Sequence, residues 1–170
     1  MDSRGDIVYS IINNYGRSLL YGCSNLHQSL PRMLTLWFDY GSRQESFFKS
    51  LSTRAAEKMG LQLLLITTLS YCRVAELTNS KKAMPAAAKK LLEDMQGWLS
   101  RMCDFMNRFQ DKIPKFMFLA AYSQLTSRIC HSHPDVWQVL RTILLNCFLE
   151  YPHHCFWQIV SLVKSSYSTR

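Results

Sequence analysis

Glycine and proline are scarce, 6 and 5 residues in a chain of 170. That is too few for the turn-dense pattern of a sandwich or barrel, and it suits long helices. Acidic residues are also few: 12 Asp and Glu against 20 Lys and Arg give a formal net charge of +8. Such a balance raises nucleic acid or an acidic surface as partners without choosing between them. No apolar run reaches the roughly 20 residues that a membrane-spanning helix needs. The most lipid-like stretch, Gly60 to Ile66, lies between Lys58 and Arg73, so a soluble chain is expected. No apolar signal-peptide core follows Met1, and Cys23, Cys72, Cys103, Cys130, Cys147 and Cys155 form no C-x-x-C pair. Reduced, mostly buried thiols in a reducing compartment are therefore expected. The glycine-rich dinucleotide fingerprint, the Walker Gly-Lys-Ser/Thr, Gly-x-Ser-x-Gly and His-Glu-x-x-His are all missing, so no motif marks an active site.

What is present is a globular composition, 48% hydrophobic and 19% charged, with room for one domain. The apolar residues recur with a period of 3.6 almost everywhere, which makes the fold class all-α with no sheet. From Asp6 to about Tyr21, the residues Ile7, Ile11, Tyr15 and Leu19 share one face, and Ser10, Asn13, Asn14 and Arg17 the other. Gly16 inside this helix implies a close helix contact, because mid-helix glycine costs roughly 1 kcal/mol relative to alanine. Ser29 reads as the cap of a helix opening at Pro31, burying Met33, Leu34, Trp37 and Phe38 and ending at Gly41. Thr53 to Thr78 is helical with a ragged stripe, and Asn79 to Lys82 is a hydrophilic break. From about 84 to 110, Met84, Ala88, Leu91, Met95, Trp98, Met102, Phe105 and Phe109 form a heptad seam. It reads as one long helix packed within its own chain more readily than as an intermolecular coiled coil, because no ordered e/g charge code flanks it.

Pro114, Pro134 and Pro152 each open a segment: Lys115 to Cys130, Asp135 to Glu150 and His154 to Lys164. In the middle one Gln138, Thr142, Asn146 and Glu150 make an i, i+4 polar line while Val136, Trp137, Leu140, Ile143, Leu144, Cys147 and Phe148 cover most of the rest, so that helix is expected to lie sandwiched. Antiparallel helices buried on two sides build an α-solenoid of HEAT or TPR type, with a compact bundle as the alternative. Trp37, Trp98, Trp137 and Trp157 are expected to be core anchors.

Two clusters invite a metal: Cys130 with His131 and His133, and His153 with His154 and Cys155. The intervening helix would hold them about 24 Å apart at opposite ends, and neither alone has zinc-ligand spacing. No metal or other cofactor is expected. Cys23 and His27 would pair as thiolate and imidazole on a helix, but Gly22 to Asn25 reads as a turn, which removes the dyad. Lys81, Lys82, Lys89 and Lys90 could track phosphates; without interleaved aromatics they read as a solvated helix end, and direct nucleic-acid binding is not expected. On these residues alone a stand-alone basic module binding nucleic acid or protein and a small enzyme both stay open, although no residues can be named for an enzyme.

Two longer blocks carry a resemblance. Ile11 to Leu19 (IINNYGRSL) with His27 to Gly41 (HQSLPRMLTLWFDYG) resembles the late FAT domain of the phosphatidylinositol-kinase-related protein kinases. Phe118 to His133 (FLAAYSQLTSRICHSH), Phe148 to Pro152 (FLEYP) and Lys164 to Tyr167 (KSSY) are similar to the ATR-like checkpoint branch of that family. The resemblance covers about 7–41 and 113–170; residues 42–112 stand outside it as a longer connection within a single segment, 1–170. It implies a non-catalytic helical scaffold that supports and positions a serine/threonine kinase domain, itself absent from this chain along with its Asp-Arg-His and Asp-Phe-Gly signatures. ATP and a divalent metal would belong to that domain only. The resemblance further implies a nuclear parent protein acting in the DNA-damage and replication checkpoint. Its partners would be the kinase domain, neighbouring helical repeats and an ATR-interacting regulatory subunit, with no membrane.

Overall fold

Stripes of apolar residues at helical spacing need a second surface to bury against, and this chain supplies it by folding helices back on one another in pairs. The computed structural model describes residues 3–58 and 86–163. Among them the elements are α1 (Ser3–Tyr21), α2 (Leu26–Lys58), α3 (Ala86–Lys112), the short α4 (Phe116–Leu119) and α5 (Tyr122–Ser127), α6 (Pro134–Glu150) and α7 (Pro152–Val163), with no strand among the described residues.

Side-chain contacts fix the directions. Gly5 of α1 lies against Trp98 of α3 and Gly16 against Phe105, so α1 and α3 run parallel. Gln96 of α3 donates to Asp135 of α6 at 3.0 Å, and Asn146 of α6 donates to Gln110 of α3 at 3.4 Å, so α3 and α6 also run parallel. Between them the chain returns. Tyr40 of α2 reaches back to Gly5; Gln124 of α5 donates to the Pro31 carbonyl at 3.1 Å, and Arg128 pairs with Asp39 at 3.8 Å. Thus α1, α3 and α6 form one layer, and α2, α5 and α7 the opposite one. Three stacked antiparallel pairs, α1–α2, α3–α4/α5 and α6–α7, make a short α-solenoid. The core between the layers includes Ile12, Leu30, Met33, Leu34, Trp37, Phe38, Leu99, Met102, Phe118, Leu125 and Leu140.

Several expectations change in detail. Ser29 is buried inside α2 and does not cap it; the Leu26 and Ser29 amides bond instead to the Cys23 and Asn25 carbonyls. Pro31 sits early enough that it forfeits one backbone bond without stopping the helix. Gly41 does not end it either. An added Cβ would lie 2.8 Å from Val136 Cγ2 and 3.0 Å from His131 Cε1, so the missing side chain is what lets α6 approach α2. The segment 53–78 falls into two parts: residues 53–58 continue α2, and the rest, with the 79–82 break and Met84, lies outside the described residues.

On α1 the buried positions are Gly5, Ile12, Gly16 and Leu19, whereas Ile7 is 58% exposed. The face turns because α1 must serve α2 and α3 together. The heptad helix packs within its own chain, against α1, α2 and α6. Its buried stripe is shifted off the expected seam: Met102 and Phe109 are buried with Leu92, Leu99, Cys103, Met106 and Gln110, while Leu91 is exposed, because the helix has neighbours on several sides. The segment 115–130 is two short helices joined at Ala120–Ala121, not one; Ala121 leaves helical geometry with φ −116° and ψ 16°.

The glycine notch at position 16 is testable. Gly16→Ala drives a Cβ into the Phe105 ring, and overpacking of about 1–3 kcal/mol outweighs the helix-propensity gain of about 1 kcal/mol. Gly97→Ala, which meets nothing within 4 Å, gains that propensity alone. Urea midpoints should therefore move in opposite directions for the two variants; a rise for both would show the notch to be slack.

Candidate functional site: a polar joint and an apolar end face

The third pair begins at a residue chosen for capping. His133 is extended (φ −85°, ψ 125°), and its Nδ1 accepts the Asp135 amide at 3.3 Å. Pro134 follows at the first helical position, where its missing N–H costs nothing. A proline again opens the next helix at Pro152, and with only Tyr151 between them α7 packs against α6.

Around His133 the three pairs are stitched together by polar side chains. His131 Nε2 lies 3.0 Å from the Phe38 carbonyl and 3.2 Å from Ser42 Oγ on α2, while its Nδ1 accepts the His133 amide at 3.1 Å. A second thread runs from Gln44 of α2, which donates to Gln96 of α3, and on to Asp135 of α6. Burial lowers the His133 pKa; the Asp135 and Glu45 carboxylates oppose that shift and His131 adds to it. Sequence reasoning missed the Gln44–Gln96–Asp135 thread. Three ordinary polar residues so far apart in sequence carry no local signal.

Beyond the joint lies a surface that is apolar and uncovered. On α6, Leu145 and Leu149 point outward, Leu149 with 77% of its surface exposed. On α7, Cys155 is buried beside Tyr122 while Phe156 and Trp157 form an edge-to-face pair at 5.5 Å on the outer side. Trp157 is 71% exposed and is therefore no core anchor. It sits on the far side of the last helix, where no element of the described chain follows. Trp37 is fully buried; Trp98 and Trp137 are half-buried at the edge of the core. The apolar residues on both sides of α7 were the available sign of this exposed face.

The remaining candidates do not converge. Cys130 is exposed, His131 turns toward α2 and His133 caps α6; His153 and His154 are exposed while Cys155 points inward. No three His, Cys, Asp or Glu side chains among the described residues could share a metal ion. Cys23 lies in the loop before α2 and His27 in its first turn, both exposed. Burial pushes the Cys103 thiol up to about 11 and Cys147 to about 12, so neither offers a thiolate nucleophile near neutrality. Lys89 reaches Glu93 at 4.0 Å, and Lys81 and Lys82 lie outside the described residues. A cleft of about 570 Å³ follows α2 along Asp39, Ser42, Arg43, Ser46, Phe47 and Ser50; its one carboxylate, Asp39, is held by Arg128. Among the described residues no helix is long and apolar enough to cross a membrane.

Comparison with known proteins gives this architecture its relatives. Residues 101–170 match the family described as serine/threonine-protein kinase ATR-like, HEAT repeats. The chain is 34% identical to protein kinase rad3 of Schizosaccharomyces pombe over 98% of its own length and 6% of that protein's. It is 27% identical to the serine/threonine-protein kinase ATR of Drosophila melanogaster over 97% of its length, and 24% identical to MEC1 of Candida albicans over 99%, in each case 5% of the relative. These alignments run through residues 42–112, which the resemblance read from the sequence does not reach. No solved structure matches the chain. The helical stack, the family match over residues 101–170 and the similarity over nearly the whole chain make it similar to a helical-repeat segment, about one-twentieth of the length, of ATR-like kinases.

Proposed function

We propose that this chain is a non-catalytic scaffold segment of an ATR-like serine/threonine kinase, supporting and positioning the kinase domain in the DNA-damage and replication checkpoint. The observation that carries the reading is the uncovered apolar face of Leu149, Phe156 and Trp157 at one end of a repeat stack. A neighbouring helical repeat laid there would gain about 1.5–3 kcal/mol for each large side chain it fully buried. In this reading Ile7 and Ile11, exposed on α1 at the opposite end of the stack, meet the preceding repeat. Catalysis would feel the segment through the geometry it holds and not through donated groups; ATP and its metal belong to the kinase domain.

The same reading takes in the nuclear setting, the ATR-interacting regulatory subunit as a partner of the parent protein, and the late FAT placement. The matching family is described by HEAT repeats, which are likewise stacked antiparallel helices. Binding of nucleic acid or membrane is no part of it.

Leu149→Glu combined with Trp157→Glu tests the proposal. In the isolated chain both positions are solvated, so the melting temperature should hold and self-association should fall. In the full-length kinase that contains the segment, activity should drop with the ATP site untouched. Full activity there would sink the scaffold reading.

A further inference from the structure

The histidine joint does more than cap a helix. The Phe38 carbonyl can only accept a hydrogen bond, so His131 Nε2 carries the proton; the His133 amide can only donate, so His131 Nδ1 is bare. His133 Nδ1 is bare for the same reason, because it accepts the Asp135 amide. These bonds select the Nε2–H tautomer of both imidazoles. A proton arriving at His133 Nδ1 would set N–H against the Asp135 N–H. It would also place a cation at the positive end of the α6 dipole.

We propose that the loop joining α5 to α6 is a proton-operated joint, in which His131 ties the loop to α2, neutral His133 caps the first turn of α6, and protonation of His133 at Nδ1 releases that turn. Gly41, packed against both His131 and Val136, is the contact about which the third pair would tilt. Because α6 carries α7, that tilt would redirect the Phe156–Trp157 end face.

Charged groups face His133 from α2 and α6. Asp135 on α6 and Glu45 on α2 attract the proton, whereas His131 opposes it and burial opposes it most. Asp135 Oδ2 is occupied by Gln96 of α3, and Asp39 nearby is paired with Arg128. Since burial lowers the His133 value from the ordinary 6.5, the unfolded chain takes up protons before the folded one. The contribution of the joint is thus complete above about 6.5 and is lost as the pH falls below it.

The inference rests on the geometry of this chain alone and survives if the scaffold reading fails. Long-range 1H–15N spectra of the 170-residue chain labelled at histidine should show His131 and His133 as Nε2–H tautomers near neutral pH. Below the ordinary imidazole value, hydrogen-exchange protection of the first turn of α6 should fall by up to about tenfold per pH unit, ahead of α1. His133→Asn keeps a capping oxygen and cannot titrate, so it should retain the helix and abolish that pH response. An Nδ1–H tautomer at either residue, or an unchanged response in His133→Asn, would overturn the proposal.

Discussion

Trp37→Ala is expected to destabilise the chain by about 3–5 kcal/mol, the range for truncating a large aromatic in a core that cannot collapse around the void. Trp37 has no exposed surface, stacks on Phe38 at a centroid distance of 4.9 Å and sits beside Cys103 of α3. Its loss would open the middle of the stack, where α2 faces α3, and not an end that could relax into solvent. The indole Nε1 is buried without a hydrogen-bond partner. Trp37→Phe should therefore cost clearly less: it keeps a ring and removes an unsatisfied donor whose burial costs about 1–3 kcal/mol. Urea unfolding of the two variants checks both statements. An alanine variant within about 1 kcal/mol of the parent would show that the centre of the stack is loosely packed.

Phe109→Ala should approach the same loss, about 3–5 kcal/mol, for a different reason. This residue is where three elements meet. It stacks on Phe105 at 5.7 Å, meets Phe118 of α4 edge-on at 6.3 Å and lies close to Gly16 of α1. Its loss would leave the Phe105 ring without a backstop at the glycine notch and strip Phe118 of its partner. A double-mutant cycle with Phe118→Ala should then return a coupling of about 0.5–1.5 kcal/mol, the range for an edge-to-face pair. Strict additivity would mean that Phe109 anchors α1 to α3 without helping to place α4.

The aromatic residues also show what could be read before folding. Met33, Leu34, Trp37 and Phe38 are legible as core because four apolar residues at helical spacing leave no polar alternative face. Pro134 and Pro152 are legible as helix starts because proline at a first turn forfeits nothing. Trp157 is misread by the same logic: its spacing is as apolar as that of Trp37, and only its position on the last helix of the stack exposes it. Gly41 is misread as a stop because glycine has two uses, a left-handed turn or a close approach, and the approaching residue is Val136, far along the chain. Lys115 to Cys130 looks like one helix because its composition permits it, and the break at Ala120–Ala121 serves packing against α6 and α7.

The joint was not legible at all. His131 and His133 announce themselves only as a possible metal cluster, and the Gln44, Gln96 and Asp135 thread is silent. A hydrogen bond between residues this distant in sequence leaves no periodicity, and polar residues at a buried joint look in the sequence like polar residues on a wet face.

The sequence by itself determined the class of structure, all helix and no sheet among the described residues, because the 3.6-residue stripe and the shortage of turn residues are local properties of the chain. It also determined the kinship with ATR-like kinases, which long ordered blocks carry without any help from geometry. Only the tertiary structure decided which stripe faces which neighbour, that the pairs stack in two layers, that two histidines lock in one tautomer, and that the last helix leaves an apolar face uncovered. Those outcomes depend on the packing of residues remote from one another, and burial and hydrogen-bond complementarity across such distances exist only once the chain has folded.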